Sequence, residues 1–360
     1  MNKHQPHDLK QMQSLPLEAK ILMTERRIEA WFDHWNGQVY VSFSGGKDST
    51  VLADMVARFC KKYGWKLYLL FVNTGLEYPE IQKFTKTFAE WLRTTYSIEV
   101  QLDVVRPEIR FDDVVRNYGY PVVSKSISKK VGIVRRNGKG CDTYKFFQGA
   151  ATTKDGKPSK FNCKKWAFLL DADFDSDWFC CELMKKIPFK KYEKETGRKP
   201  IIGTLASESE TREAVWMKHG CNAFESSHPS SQPLSFWTNQ DILHYIKKFN
   251  IPYCSVYGDI QVKQPEGTET GQINAIDYLE CWEQEDILET TGCDRTGCIF
   301  CCYGITQEQE PNRFQRMKQT HPRQYEYCIG GGEMVDGKWQ PNKEGLGLGH
   351  VLDYIGVKYV

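Results

Sequence analysis

Apolar positions in the first hundred residues switch between two periods. From Leu17 to Trp35 they recur at helical spacing, with Ile21, Ile28, Trp31 and Phe32 on the pattern, which predicts a helix. Val39–Phe43 is a short β-branched and aromatic run, a first strand, and Thr50–Tyr63 returns to helical spacing. Lys66–Asn73 is almost continuously apolar, as a strand buried on both faces requires. A helix from Pro79-Glu80 through Leu92 and a third strand over Glu99–Val104 follow. This alternation predicts an α/β fold with a doubly wound, mostly parallel sheet. Ligands of such sheets sit at the carboxyl ends of the strands.

Further along, Lys199–Thr204 reads as a strand and turn. Ser209 reads as the N-cap of a helix that places Arg212 at its third position. Pro233–Lys248 contains another helix. Asp259–Gln272 reads as a loop, Cys293–Gly304 as a cysteine-rich knot and Gly330–Gly349 as irregular. No repeat recurs at a fixed period. The expected division is a helical extension (1–37), an α/β domain (38–258) and a cysteine-rich, irregular C-terminal appendage (259–360).

Within that α/β domain, residues 120–165 change character. Lys125, Lys129, Lys130, Arg135, Arg136, Lys139 and Lys145 gather there with Gly138, Gly140, Gly149 and Gly156. The stretch reads as a basic insertion or loop: either a solvated excursion, or an electrostatic lid or a contact over 125–145 for a phosphate-bearing substrate, nucleic acid included.

A net charge of +2 on 360 residues hides this local excess and gives no global pull toward nucleic acid or membrane. No run approaches the roughly 20 apolar residues of a membrane span, and Met1–Lys20 lacks an apolar signal core. The expectation is a cytoplasmic protein with no membrane partner. Thirteen cysteines then point to metal or redox chemistry rather than disulfides. Cys180 and Cys181 adjoin, and Cys293, Cys298, Cys301 and Cys302 fall close together. Cys60, Cys141, Cys163, Cys221, Cys254, Cys281 and Cys328 are scattered, as small buried residues usually are.

The first strand ends in Ser44-Gly45-Gly46-Lys47-Asp48-Ser49 and runs into a helix. Two glycines admit a phosphate to the backbone without a Cβ in the way, and the helix start adds free N–H groups. The spacing is neither Walker A nor the dinucleotide-binding Gly-x-Gly-x-x-Gly. It resembles the PP-loop of the ATP pyrophosphatase superfamily, whose members cleave ATP between the α and β phosphates. By that resemblance Ser42, Ser44, Gly45, Gly46, Lys47, Asp48 and Ser49 form the pyrophosphate cradle. Asp48 then orients the loop or holds Mg²⁺, and Asn73-Thr74-Gly75 lie under the adenosine. Glu77 and Glu80 read as metal-binding or helix-capping groups. Arg212 reads as a bidentate phosphate clamp, or else as a surface helix arginine.

Cys298-Ile299-Phe300-Cys301 can present two thiolates to one metal or cluster. Cys293 and Cys302 would complete a compact zinc site locally; Cys180-Cys181 are the other pair. Cys180-Cys181 through Pro188-Phe189 resembles the tandem-cysteine segment of assimilatory adenylyl-sulfate reductases. Gly203 through Arg212 resembles their arginine-bearing segment. Three motifs in the family's order, over roughly Val39–Gly304, identify the chain as a member of the phosphoadenosine phosphosulfate (PAPS) reductase-like branch of the PP-loop superfamily. The resemblance implies a [4Fe–4S] cluster on Cys180, Cys181, Cys298 and Cys301, with Zn²⁺ the alternative cofactor, and ATP with Mg²⁺ at the loop. Lys185 and Lys186 would steady an anionic cluster.

One departure matters. Sulfonucleotide reductases use a cysteine in a C-terminal Glu-Cys-Gly-Leu-His-like motif, and no cysteine follows Cys328. The expectation is therefore an ATP-using sulfurtransferase that adenylates an acceptor, with Lys47, Asp48 and Arg212 in the catalytic roles. Its partners would be ATP, a persulfide or sulfur-donor protein, and a nucleic-acid acceptor; Cys293 or Cys302 would relay sulfur. Two alternatives stand beside it: a sulfonucleotide reductase with a displaced nucleophile such as Cys328, and a non-catalytic nucleotide-binding subunit of a defence or DNA-modification assembly. Self-association is left open.

Overall fold

A computed structural model describes residues 3–263 and 286–360. Its contacts group the chain into two compact units, each assembled from separated stretches. The first comprises Met1–Asn73, Glu77–Val105 and Lys191–Gly297; the second comprises Thr74–Leu76, Arg106–Lys190 and Cys298–Val360. The linear division at residues 37 and 258 does not describe these units. The basic stretch joins the cysteine-bearing C-terminal part in one unit, and the nucleotide-loop sheet continues through Gly297 in the other.

The first unit is built on a six-stranded sheet in the order Val100–Val105, Leu67–Val72, Val39–Ser42, Lys199–Ile202, Ser230–Ser231, Asn222–Ala223. All neighbours run parallel except the last pair, which is antiparallel. The central strand Val39–Ser42 pairs on both sides, Val41 with Leu69 and with Ile201. Val41, Leu69 and Ile201 are essentially inaccessible to solvent, which explains the uninterrupted apolar runs. This is the α/β, mostly parallel architecture that the period switching predicts.

Helices cover the sheet. Leu17–His34 buries Ile28, Trp31 and Phe32, and its Lys20 amine meets the Asp241 carboxylate of helix Asn239–Phe249 at 2.7 and 2.8 Å. Helix Lys47–Tyr63 begins three residues before the expected start, because Gly46 takes the N-cap position. That shift puts Lys47 and Asp48 inside the first turn. Part of the expected loop over Asp259–Gln272 is a strand: Ile260–Val262 pairs antiparallel with Leu288–Thr290. Residues 264–272, and Cys281, lie outside the described residues.

In the second unit the basic stretch is partly regular: a strand and two helices occupy most of 122–148, and turns and irregular backbone make up most of 149–163. Val122–Val123 forms a short strand that pairs in parallel with Cys302–Tyr303, so the cysteine-rich knot is partly sheet. Ser124 caps helix Lys125–Asn137 by accepting from the Ile127 N–H. That helix ends at Gly138 and helix Tyr144–Gln148 at Gly149, both at positive φ. Two of the four glycines, Gly138 and Gly149, are therefore helix stops. Likewise Gly330–Gly349 holds a hairpin, Glu333–Val335 with Lys338–Gln340, turned by Asp336-Gly337 at positive φ. Among the described residues no helix is long and apolar enough to cross a membrane.

Candidate functional site

The phosphate loop lies at the carboxyl end of Val39–Ser42. Gly45 turns it at φ +73°, and a Cβ there would come within 3.0 Å of Ile81 and Thr85. Ser44 Oγ and Ser49 Oγ are 3.0 Å apart, and Ser49 donates to the Gly46 carbonyl at 2.9 Å. The Gly46 N–H donates to Ser44 Oγ at 3.3 Å. The loop is thus tied across its own base, with the first amides of helix Lys47–Tyr63 at its rim. Gly203, at the end of the neighbouring strand, passes so close that a Cβ would lie 3.0 Å from the Asp48 carbonyl.

Lys47 is only 4% exposed. Its amine donates to the Asp294 carbonyl at 3.1 Å and lies 3.9 Å from the Asp48 carboxylate. Burial pushes its pKa down; Asp48 opposes that shift, and Arg295 reinforces it. The Lys47 N–H donates to Tyr257 Oη at 3.1 Å, and Tyr257 Oη is 2.8 Å from Thr296 Oγ1. Asp48 Oδ1 is buried without a hydrogen-bond partner, a carboxylate oxygen free to meet a cation.

Arg212 is where the sequence places it, three residues after its cap: its N–H donates to Ser209 Oγ at 3.3 Å. Its guanidinium pairs with Glu208, which also accepts from Arg295 at 2.9 Å. Burial lowers the Arg212 pKa, Arg295 lowers it further and Asp48 opposes the shift. Asp48 and Arg295 therefore act on both Lys47 and Arg212, and the cradle, Arg212 and Asp294-Arg295-Thr296 form one neighbourhood of coupled charges. Ser42 ends the central strand, and Asn73 is held by its N–H to the Val105 carbonyl at 2.9 Å. Thr74 and Gly75 fall in the second unit, where Thr74 Oγ1 accepts from the Leu76 N–H at 3.2 Å and Gly75 has φ +76°. Glu80 sits in the first turn of helix Pro79–Tyr96, the place an acidic capping residue takes.

Sequence reasoning missed Tyr257, Asp294, Arg295, Thr296 and Glu208. The signal existed in Cys293-Asp294-Arg295-Thr296-Gly297-Cys298, but that stretch reads first as ligand spacing, and its polar residues pass for filler.

The second unit brings Cys180, Cys181, Cys298 and Cys301 to one recess, walled also by Leu76, Phe111, Pro121, Met184 and Lys185. The two tandem sulfurs are 3.9 Å apart. Directly after them Glu182–Lys186 widens into a π-turn. Pro188 has no N–H to give the residue four back, which accounts for the shifted register. A tight turn, closed by the Cys301 N–H to the Cys298 carbonyl at 3.0 Å, sets the other pair. The Cys181 thiol is drawn down to about 5 by the hydrogen bond from Cys180, with Lys125 and Lys185 also favouring its thiolate. The Cys180 thiol is correspondingly pushed up. Four thiols around an apolar recess with cations beside them is a donor set that suits an iron–sulfur cluster. Among the described residues, no three His, Cys, Asp or Glu side chains are arranged to hold a single metal ion.

Lys185 lines the recess as expected, whereas Lys186 pairs with Glu182 at 2.9 Å. Cys302 is fully buried on its strand and is not among the residues around the recess. Cys328 is also fully buried, and burial raises its thiol well above the ordinary range. Cys293, in the first unit, is half-buried with its sulfur 3.9 Å from Tyr78 Oη. Cys60, Cys163, Cys221 and Cys254 are buried, and Cys141 is half-exposed.

A family model described as the phosphoadenosine phosphosulfate reductase domain matches residues 38–150 and 150–303. No curated protein sequence matches the chain significantly. Among solved structures, NMN synthetase from Francisella tularensis is similar at 12% identity and a TM-score of 0.33, over 66% of this chain and 73% of that one. The U34-tRNA thiolase NcsA from Methanococcus maripaludis, solved with its [4Fe–4S] cluster, is similar at 17% identity and a TM-score of 0.33, over 66% of each chain. The family match spans most of the chain and includes the phosphate loop and all four recess cysteines. The chain belongs to the phosphoadenosine phosphosulfate reductase domain family.

Proposed function

We propose that the first unit binds ATP with Mg²⁺ at Ser44–Ser49 and activates an acceptor oxygen by adenylation, in preparation for sulfur transfer. One observation carries this reading: a glycine cradle in which the Lys47 amine is buried 3.9 Å from Asp48 Oδ2, while Asp48 Oδ1 is buried with no hydrogen-bond partner. Mg²⁺ favours one or two carboxylates combined with phosphate oxygens. The α–β phosphate bridge would lie over the Gly45-Gly46 amides, Asp48 would hold the metal, and Lys47 with Arg212 would meet the charge that develops on departing pyrophosphate. The acceptor oxygen attacks the α-phosphorus, and the bond to the β-phosphate oxygen breaks. The terminal sulfur of a persulfide donor then attacks the activated atom and displaces AMP, which takes the original acceptor oxygen with it; a second thiol of the donor cleaves the resulting S–S bond, leaving sulfur on the acceptor and the donor as a disulfide.

Cys180, Cys181, Cys298 and Cys301 would hold a [4Fe–4S] cluster, with Lys125 and Lys185 compensating its charge. When bound, such a cluster supplies iron at which sulfur can be kept for delivery. Cys293, half-buried and one residue before the segment that holds Lys47, would relay persulfide sulfur; Cys302 is too buried for that task. The acceptor would be nucleic acid, approached through the basic helix Lys125–Asn137. Sulfonucleotide reduction through Cys328 finds no support, because attack on sulfur needs an accessible thiolate and Cys328 is inaccessible.

The test is calorimetric titration of the full chain with ATP and Mg²⁺, for wild type and Asp48→Asn. Magnesium-dependent binding that Asp48→Asn loses supports the cradle. Equal binding by both proteins, with or without magnesium, would remove Asp48 and the metal from the account.

A further inference from the structure

We infer that the second unit carries a binding pocket for a single-stranded nucleic-acid segment, one base and its flanking phosphates, directly beside the tandem cysteines. The inference rests on the proposed nucleic-acid acceptor and gives that acceptor a place. A cavity separate from the cysteine recess is lined by Asn117, Tyr118, Arg135, Arg136, Phe179 and Lys338, among others. Its aromatic wall continues outside it. Tyr118 and Phe179 have ring centroids 5.0 Å apart, and Phe179 stacks on Trp178 at 5.2 Å. Cations interleave with these rings: Arg136 lies 5.8 Å from the Phe179 centroid, and Lys129 and Lys186 lie 5.3 and 5.9 Å from that of Trp178.

Two features distinguish this pocket from an ordinary salt-bridged surface. Arg135 is fixed by the carbonyls of Leu169, Ala172 and Phe174, yet its Nε is buried and unpartnered. Tyr118 is 37% exposed although its ring belongs to an aromatic cluster, so one edge of the cluster is open. The local charge is positive. Arg135, Arg136 and Lys338 face Asp175 and Asp177, which pair with them, and exposed Lys129 adds to the cations. Open aromatic faces set among cations are what single strands use, the bases stacking and the phosphates meeting the charges. Phe179 is the residue before Cys180, so a base stacked on it would lie against the segment that carries the tandem cysteines.

The probe is a fluorescein-labelled single-stranded 12-mer, made as RNA and as DNA, titrated against the cluster-loaded full chain by anisotropy. Both versions should bind, because stacking and phosphate contact ignore the 2′-hydroxyl; the duplex should bind far more weakly. Tyr118→Ala should weaken binding by about tenfold, while Tyr118→Phe restores it. Lys129→Glu with Lys338→Glu should weaken binding and flatten the salt dependence by about 0.7 per lost phosphate contact. Lys154→Glu with Lys157→Glu, the same charge change at exposed positions elsewhere in this unit, should leave binding unchanged. Visible absorbance of the loaded cluster confirms that each variant is folded. Absence of binding, preference for the duplex, or binding that Tyr118→Ala leaves intact would overturn the pocket. Binding without AMP formation from ATP would uphold the pocket and refute adenylation, so the two readings fail separately.

Discussion

In the proposed reading Lys47 and Asp48 carry the nucleotide chemistry, and the roles assigned to them rest on burial more than on the motif. Burial lowers the Lys47 pKa, so the amine loses its proton at a lower pH than an exposed lysine does. Only the protonated form attracts phosphate. ATP affinity should therefore fall as pH rises through the depressed Lys47 pKa, at a lower pH than an exposed lysine would give. Lys47→Met should bind more weakly and lose that alkaline limb; a titration of affinity against pH checks both. For Cys293, replacement by Ser should spare AMP formation and suppress incorporation of sulfur into the acceptor. Measuring the two products in one reaction decides this, and equal loss of both would show that Cys293 supports the fold rather than relaying sulfur. At this scale the motif residues were legible because their spacing is constrained by backbone geometry. Tyr257 and Thr296 were not, since only the fold brings residues more than two hundred positions away against Lys47 and Gly46.

Among the elements, the strand–loop–helix unit at Val39–Tyr63 tolerates little. Gly46→Ala would put a Cβ 3.1 Å from Thr296 Oγ1 and 3.3 Å from Tyr257 Oη. It should displace Asp294–Thr296 and reduce ATP affinity more than it reduces the melting temperature. The helices Leu17–His34 and Asn239–Phe249 are joined by a buried pair, with the Lys20 side chain 3% exposed and that of Asp241 11%. Lys20→Met leaves Asp241 without its cation and should cost about 3–5 kcal/mol in denaturant unfolding, and Asp241→Leu should not rescue it, because Asp241 also accepts from the Thr238 N–H and hydroxyl that cap its helix. Strands and helices of the sheet were readable because burial on both faces enforces continuous apolar runs. The helices of the basic stretch were not readable, because Gly138 and Gly149 mark helix ends and composition alone does not distinguish a stop from a turn.

At the scale of the molecule, two chemistries occupy two units, a phosphate cradle in one and a cysteine recess in the other. The order of motifs along the chain is where the sequence proposes both. The chain's repeated passage from one unit to the other was not readable, because periodicity reports local structure and not which distant segments pack together. The central claim is that ATP is cleaved between its α and β phosphates. It is tested most directly by incubating the cluster-loaded full chain with α-labelled ATP, Mg²⁺, single-stranded RNA and a persulfide donor, and separating the labelled products. The account predicts AMP with an equal yield of pyrophosphate, abolished by Asp48→Asn. Labelled ADP with inorganic phosphate, or intact ATP throughout, would contradict it.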